Sequence, residues 1–377
     1  MRGFWLTLLL TAAALAGAQS PTPAGPPWRM LNSGTTAGLR GVFSVDGAVA
    51  WVSGTGGTVL ETSDGGEHWR KCAVPDAISD GATLDFRGVR AWDARTALVM
   101  ASGPGTKSRL YKTVDGCKTW KLVFGNPDQD GFWDAFSASG DKISILGDPV
   151  AGSFTMEDSE DGGRRWKSEK LPPSLRSEGA FAASNSALFA DWKDGIELFG
   201  TGGPGGVRIF TRCDPCTKRP FDRDRWFVQP LPVFGRGESA GIFSVAGRLS
   251  GAARRSGPSA VYVAVGGDYS KPDEAGAAAY SRKWLGWTAS AQPPHGYRSS
   301  VQWSKVLHAW IAAGTNGSDI SRDEGKTWQP VDDGNWNALS LPFVVGPRGR
   351  IARLNPAAFR SGEPGGSEDS AKPAPAR

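Results

Sequence analysis

Three arginines sit in similar short settings. Arg40 lies in Leu39-Arg40-Gly41, Arg87 in Phe86-Arg87-Gly88 and Arg298 in Tyr297-Arg298-Ser299. Acidic residues and one phenol occupy comparable steps: Asp134 after Phe132-Trp133, Asp148 between Gly147 and Pro149, Glu178 between Ser177 and Gly179, and Asp268-Tyr269 after Gly266-Gly267. Gathered round one opening, guanidinium forks on one side and carboxylates on the other suit an anionic ligand that also carries hydroxyl groups. The same side chains can instead bond one another and nearby carbonyls, filling the opening with a structural ion network. Both outcomes require a backbone that brings residues as distant as 40 and 298 to equivalent places.

Other chemistries lack parts. Gly54-Thr55-Gly56-Gly57 and Gly200-Thr201-Gly202-Gly203 resemble pieces of a dinucleotide loop, but that fingerprint needs a strand, a glycine turn, a helix and an acidic residue about 20 positions on. Strand-like sequence follows both, so they are expected to be hairpin turns, and no cofactor is expected. The histidines, His68, His295 and His308, are few and dispersed, and Cys213-Asp214-Pro215-Cys216 supplies two of the four ligands of a zinc site. No metal is expected, and Cys213 with Cys216 is a candidate local disulfide. Lys and Arg are scattered, with no basic stripe for nucleic acid.

The element that could position the arginines is a repeat. Thr62-Ser63-Asp64-Gly65-Gly66-Glu67-His68-Trp69 aligns with 113–120, 159–166 and 321–328, all variants of Ser/Thr-x-Asp-x-Gly-x-x-Trp, the Asp-box pattern. Asp64, Asp115, Asp161 and Asp323 are expected to accept backbone N–H bonds across tight turns in which glycine supplies a positive φ. Trp69, Trp120, Trp166 and Trp328 are expected to start the returning strands and pack on a neighbouring sheet. The spacing between the third and fourth of these boxes spans three periods, which places decayed boxes at Phe210 to Trp226 and Tyr280 to Trp287.

Short Val/Ile/Ala-rich runs precede each box, giving four strands per repeat of about 50 residues, the pattern of a propeller blade. Innermost strands are expected near Leu39, Phe86, Phe132, Phe181, Ser239, Tyr297 and Asn337. The fold class is therefore all-β, a seven-bladed propeller, with Trp28-to-Leu31 completing the last blade so that no sheet edge stays open. Side chains at the same step of equivalent strands point the same way, so Arg40, Arg87 and Arg298 are expected within about 10 Å of one another, opposite the boxes and facing Asp134 and Tyr269.

Arg2, the apolar run Phe4 to Leu15 and Ala16-Gly17-Ala18 form a secretory signal over 1–18. The apolar run is short of the roughly 20 residues that span a bilayer. A Pro-rich linker over 19–27, the propeller over 28–360 and a tail over 361–377, too polar to offset its ordering entropy, complete the expected organisation.

These residues carry a resemblance. Gly57-Thr58-Val59-Leu60-Glu61-Thr62-Ser63-Asp64-Gly65-Gly66 and Gly346-Pro347-Arg348-Gly349-Arg350-Ile351-Ala352-Arg353 are similar to phrases of the photosystem II stability/assembly-factor type of Asp-box propeller, in the same broad superfamily as the sialidases. The resemblance implies a propeller that binds a client protein without catalysis, here exported to the periplasm or beyond, with a client protein or an anionic or glycan ligand as partner. Blades four and five depart from it, with lost boxes and long Gly/Pro loops, so photosystem binding does not carry over. The arginine cluster also resembles that of a sialidase, which makes a glycoside hydrolase the enzymatic alternative. Against that stand the missing Phe/Tyr-Arg-Ile-Pro segment and a total of five tyrosines.

Overall fold

Runs of four to six β-branched, aromatic and small apolar residues, cut by Gly, Asp and Pro turns, favour antiparallel strands over helices. A computed structural model describes residues 25–76, 79–213, 226–250, 259–283 and 285–359. The residues expected to form the signal sequence and the C-terminal tail, and Cys216, lie outside the described residues. Within them the chain forms 28 strands in seven four-stranded antiparallel sheets, with helix limited to short 3-10 turns.

Six sheets are sequential meanders, blades 1 to 6, whose innermost strands are Leu39–Ser44, Phe86–Ala91, Trp133–Ser139, Leu188–Asp191, Ala240–Ser250 and Ser300–Ser304. Blade 7 joins the two ends of the chain: Ala338–Ser340, Phe343–Val345 and Ile351–Leu354 are completed by Trp28–Leu31, with Trp28 opposite Leu354 and Leu31 opposite Ile351. Apolar clusters fill the spaces between blades, and Trp51, Trp133 and Trp310 are fully buried there.

The four boxes occupy equivalent hairpins between third and fourth strands. In each, the Ser or Thr hydroxyl donates to the Asp carboxylate two residues on, at 2.9 Å in three boxes and 3.1 Å from Ser159 to Asp161. The same oxygen accepts the backbone N–H four residues on, at 2.9–3.0 Å. The Asp then accepts the N–H of the residue before the Trp, at 2.9–3.1 Å. Two successive residues per box take a positive φ, for instance Gly162 at 74° and Gly163 at 89°; a Cβ on Gly163 would come within 2.3 Å of Val123 in the preceding blade. These donors hold the carboxylates below their usual range, Asp115 at about 2 chiefly through Thr119.

The box tryptophans reach the preceding blade: Trp166 stacks on Phe124 at 4.3 Å, Trp69 meets Phe343 edge-on at 5.7 Å and Trp120 meets Trp51 at 6.4 Å. Trp328 is fully buried among Val261, Val263 and Val265, whereas the other three are half-buried. Cys72, just past the last strand of blade 1, forms a disulfide with Cys117 in the box of blade 2. Cys213 is also disulfide-bonded.

One expectation fails in blade 4. Its innermost strand starts at Leu188 rather than near Phe181, because residues 180–186 leave the sheet and cross the ring. Arg87 donates to the Ala182 carbonyl (blade 2, 3.1 Å), the Phe136 N–H donates to Asn185 (blade 3, 2.8 Å), Ser186 donates to Ser244 (blade 5, 2.7 Å), and Ser184 donates to the Ser299 carbonyl (blade 6, 2.5 Å). Seven residues that bond four blades must lie across the channel, where they form a plug.

Candidate functional site

β-Bulges build the channel end opposite the boxes. The pairing of first and second strands slips between Leu39 and Gly41, Phe86 and Gly88, Trp133 and Ala135, and Ile242 and Ser244. The residues skipped are Arg40, Arg87, Asp134 and Phe243, and a bulge re-aims its extra side chain. Asp148 is skipped likewise, between Gly147 and Pro149 in the second strand of blade 3. The following glycines permit the close approach: a Cβ on Gly41 would sit 2.5 Å from Ser53 Oγ, and one on Gly88 2.7 Å from Asn185.

Arg40, Arg87, Asp134, Asp148 and Tyr269 line one cavity of about 420 Å³ together with Phe181, Phe243 and Tyr297. One wall is cationic. Arg87 Nε donates to Asp85 Oδ2 at 2.8 Å while Arg40 Nε stands 3.9 Å from the same oxygen, so one carboxylate faces two guanidiniums. The opposite wall is aromatic: Phe181 stacks on Phe243 at 3.9 Å, Tyr297 meets Phe243 edge-on at 4.8 Å, and Tyr269, 52% exposed, caps the group. Burial, reinforced by Asp148 and opposed by Arg87, pushes Asp134 well above the usual carboxylate range. Burial raises Asp148 too, against the Ala180 N–H that donates to it at 2.9 Å. The Asp134 Oδ2 is buried with no hydrogen-bond partner among the described residues, which suits a protonated carboxyl.

Three sequence candidates belong elsewhere. Arg298 has no bulge to turn it inward, since Ser300 and Val301 pair in register with Ala313 and Ala312. It is fully buried in blade 6, donating to Asp319 at 2.5 Å and to the Tyr297 carbonyl and Asn316 at 2.6 Å, so it does not join Arg40 and Arg87. Glu178 is buried against Arg208, accepts from Thr201 at 2.6 Å and from the Leu175 N–H at 2.8 Å, and is structural. Asp268 caps its own turn through Ser270 at 2.7–2.9 Å. Sequence reasoning named Tyr269 but missed Phe181, Phe243 and Tyr297 beside it, and Asp85. It also missed Gly237-Glu238-Ser239-Ala240-Gly241, which has the spacing of a hydrolase elbow. Ser239 there donates to Ser270 at 3.0 Å and has no histidine partner, unlike a triad nucleophile.

No family model matches the chain. Photosystem II assembly lipoprotein Ycf48 of Synechococcus sp. (strain CC9902) is 27% identical over 168 residues, 43% of this chain and 46% of that protein. Over that segment the chain is similar to Ycf48. It spans about half the length of that curated relative. Among solved structures, YCF48 bound to D1 peptide superposes with a TM-score of 0.58 at 16% identity, covering 88% of this chain and 97% of that one. YCF48 from Cyanidioschyzon merolae gives 0.58 at 20% identity, covering 88% and 99%. At these identities the structural likeness to Ycf48 is one of fold. No helix among the described residues is long and apolar enough to cross a membrane.

Proposed function

We propose that this chain is an exported binding and assembly module, a propeller over 28–360 behind a signal sequence over 1–18, that takes a segment of a client protein into the cavity opposite the boxes without transforming it. The observation that carries this reading is the division of that cavity into a cationic wall, Arg40 and Arg87 sharing Asp85, and an aromatic wall of Phe181, Phe243, Tyr269 and Tyr297. A polypeptide segment offers both complements, carboxylate oxygens and apolar side chains. Aromatic and arginine anchors are the residues that dominate protein–protein binding. A propeller of the same fold, YCF48 bound to D1 peptide, supports the same reading.

The test is capture of proteins from the periplasmic and culture-medium fractions on the tagged chain, compared with R40Q/R87Q and Tyr269→Ala. Loss of a central anchor costs about 2 kcal/mol, roughly 30-fold in Kd, so the variants should release the captured client. Undiminished capture by both variants overturns the reading. The raised carboxyls of Asp134 and Asp148 favour a second reading, glycoside hydrolysis, because one carboxyl held protonated is what a general acid requires. It predicts turnover of fluorogenic glycosides that D134N abolishes.

A further inference from the structure

The other end of the channel, on the box side of the plug, has a different chemistry. Its cavity, about 460 Å³, is lined by Arg90, Arg248 and Lys305 and by no Asp or Glu. Arg90 lies over the Phe43 ring at 4.1 Å, forms no ion pair among the described residues, and leaves its Nε buried without a partner. Arg248 lies over Trp303 at 4.2 Å and pairs with Glu324, yet its Nε also lacks a partner. With one cation offset by Glu324, the excess charge is that of Arg90 and Lys305.

Four neutral groups in the lining are biased the same way, whereas Ser184 and Ser186 spend their hydroxyl protons on Ser299 and Ser244. Asn185 spends its carbonyl oxygen on the Phe136 N–H at 2.8 Å, and Gln302 spends its own on the Leu341 N–H at 2.6 Å. Ser340 accepts the Ser44 N–H at 3.0 Å and Ser300 accepts the Leu339 N–H at 3.3 Å. The backbone thus consumes acceptors, leaving amide NH2 groups and hydroxyl protons for whatever occupies the cavity. Burial with no carboxylate to offset it brings the Arg90 guanidinium down to about 10, so it remains charged at neutral pH.

We propose that the box-side end of the channel binds a small polyvalent oxyanion, a polyphosphate or polycarboxylate, between Arg90, Arg248 and Lys305. Guanidiniums held over aromatic rings and lining a cavity without carboxylates are suited to a carboxylate or phosphate, which Arg can grip in two places. The site is separate from the client cavity, with the plug between them.

Isothermal titration of the full chain at constant ionic strength with pyrophosphate, citrate and hexaglutamate tests it, in parallel with R90Q, K305Q and R40Q/R87Q. Binding of pyrophosphate, citrate or both, at least tenfold weaker in R90Q and weakened in K305Q but unchanged in R40Q/R87Q, supports the proposal; the better of the two probes names the oxyanion. Should R90Q fail to fold, the exposed Lys305 decides. Binding by neither small anion, binding of hexaglutamate alone, or equal binding by the Arg90 and Lys305 variants overturns it. Because R40Q/R87Q reports on the client cavity, failure there and failure here are distinguishable.

Discussion

Blades 1, 2, 3 and 6 lock their outer hairpins with bonds confined to an eight-residue turn, whereas blade 4 is held by charges drawn from two blades. At the base of its outer hairpin, whose turn lies outside the described residues, Arg212 pairs with Glu197 of the same blade, with Asp158 of blade 3 at 3.6 Å and with Glu169 beyond that blade's last strand at 3.4 Å. Ser144 ties Asp158 and Glu197 together at 2.5 and 3.1 Å, and the guanidinium lies 5.2 Å over Trp226. A local lock leaves a signature in the sequence and tolerates its surroundings; a non-local lock leaves none and makes two blades interdependent.

The contrast within the boxed blades can be broken most severely at Trp328. Trp328→Ala should cost about 3–5 kcal/mol, because the ring is fully buried against blade 5. Trp166→Ala, with a half-buried ring stacked on Phe124, should cost roughly half as much, since the loss follows the apolar area uncovered. Urea unfolding measures both, and equal losses would remove the distinction between buried and half-buried boxes. Next comes the boxed hairpin that borrows a covalent link. Replacing Cys72 and Cys117 together by Ser opens a loop closed across 45 positions and should lower stability by about 2–4 kcal/mol. Urea unfolding of the double variant measures the shift, and a change under about 1 kcal/mol would show that the box of blade 2 suffices alone.

The third effect is smallest at any one pH and belongs to the non-local lock. Burial, joined by Asp158 and opposed by Arg212, pushes Glu197 up to about 7 from an ordinary 4.5. The native chain therefore holds a proton that the unfolded chain has released, so stability falls as pH rises from 4.5 to about 7, by at most about 1.4 kcal/mol per unit. Glu197→Gln should flatten that slope, seen as urea midpoints at pH 5, 6 and 7. A variant with the native slope would assign the proton elsewhere.

The same division explains what was legible. The boxes at Asp64, Asp115, Asp161 and Asp323 could be read because the bonds of their Ser or Thr hydroxyl and Asp carboxylate close within a few residues, and the period between them revealed the seven-bladed ring. Arg40, Arg87 and Asp134 were found by the equivalence of strand starts. Arg298 failed the same argument because a bulge depends on the register of two strands, which neither strand announces by itself. The Cys72–Cys117 pairing stayed hidden because its halves belong to adjacent blades, and of the aromatic wall only Tyr269 was named, because Phe181, Phe243 and Tyr297 join it from blades 4, 5 and 6.

The segment 180–186 that bonds four blades turns the axis of the ring into two blind wells. Nothing threads through such a molecule. A polypeptide can offer the client well only a free terminus or the tip of a tight loop, and must withdraw by the way it came. Selection at that mouth is therefore for the end of a chain or the bend of one, with affinity limited by the few residues that reach the floor.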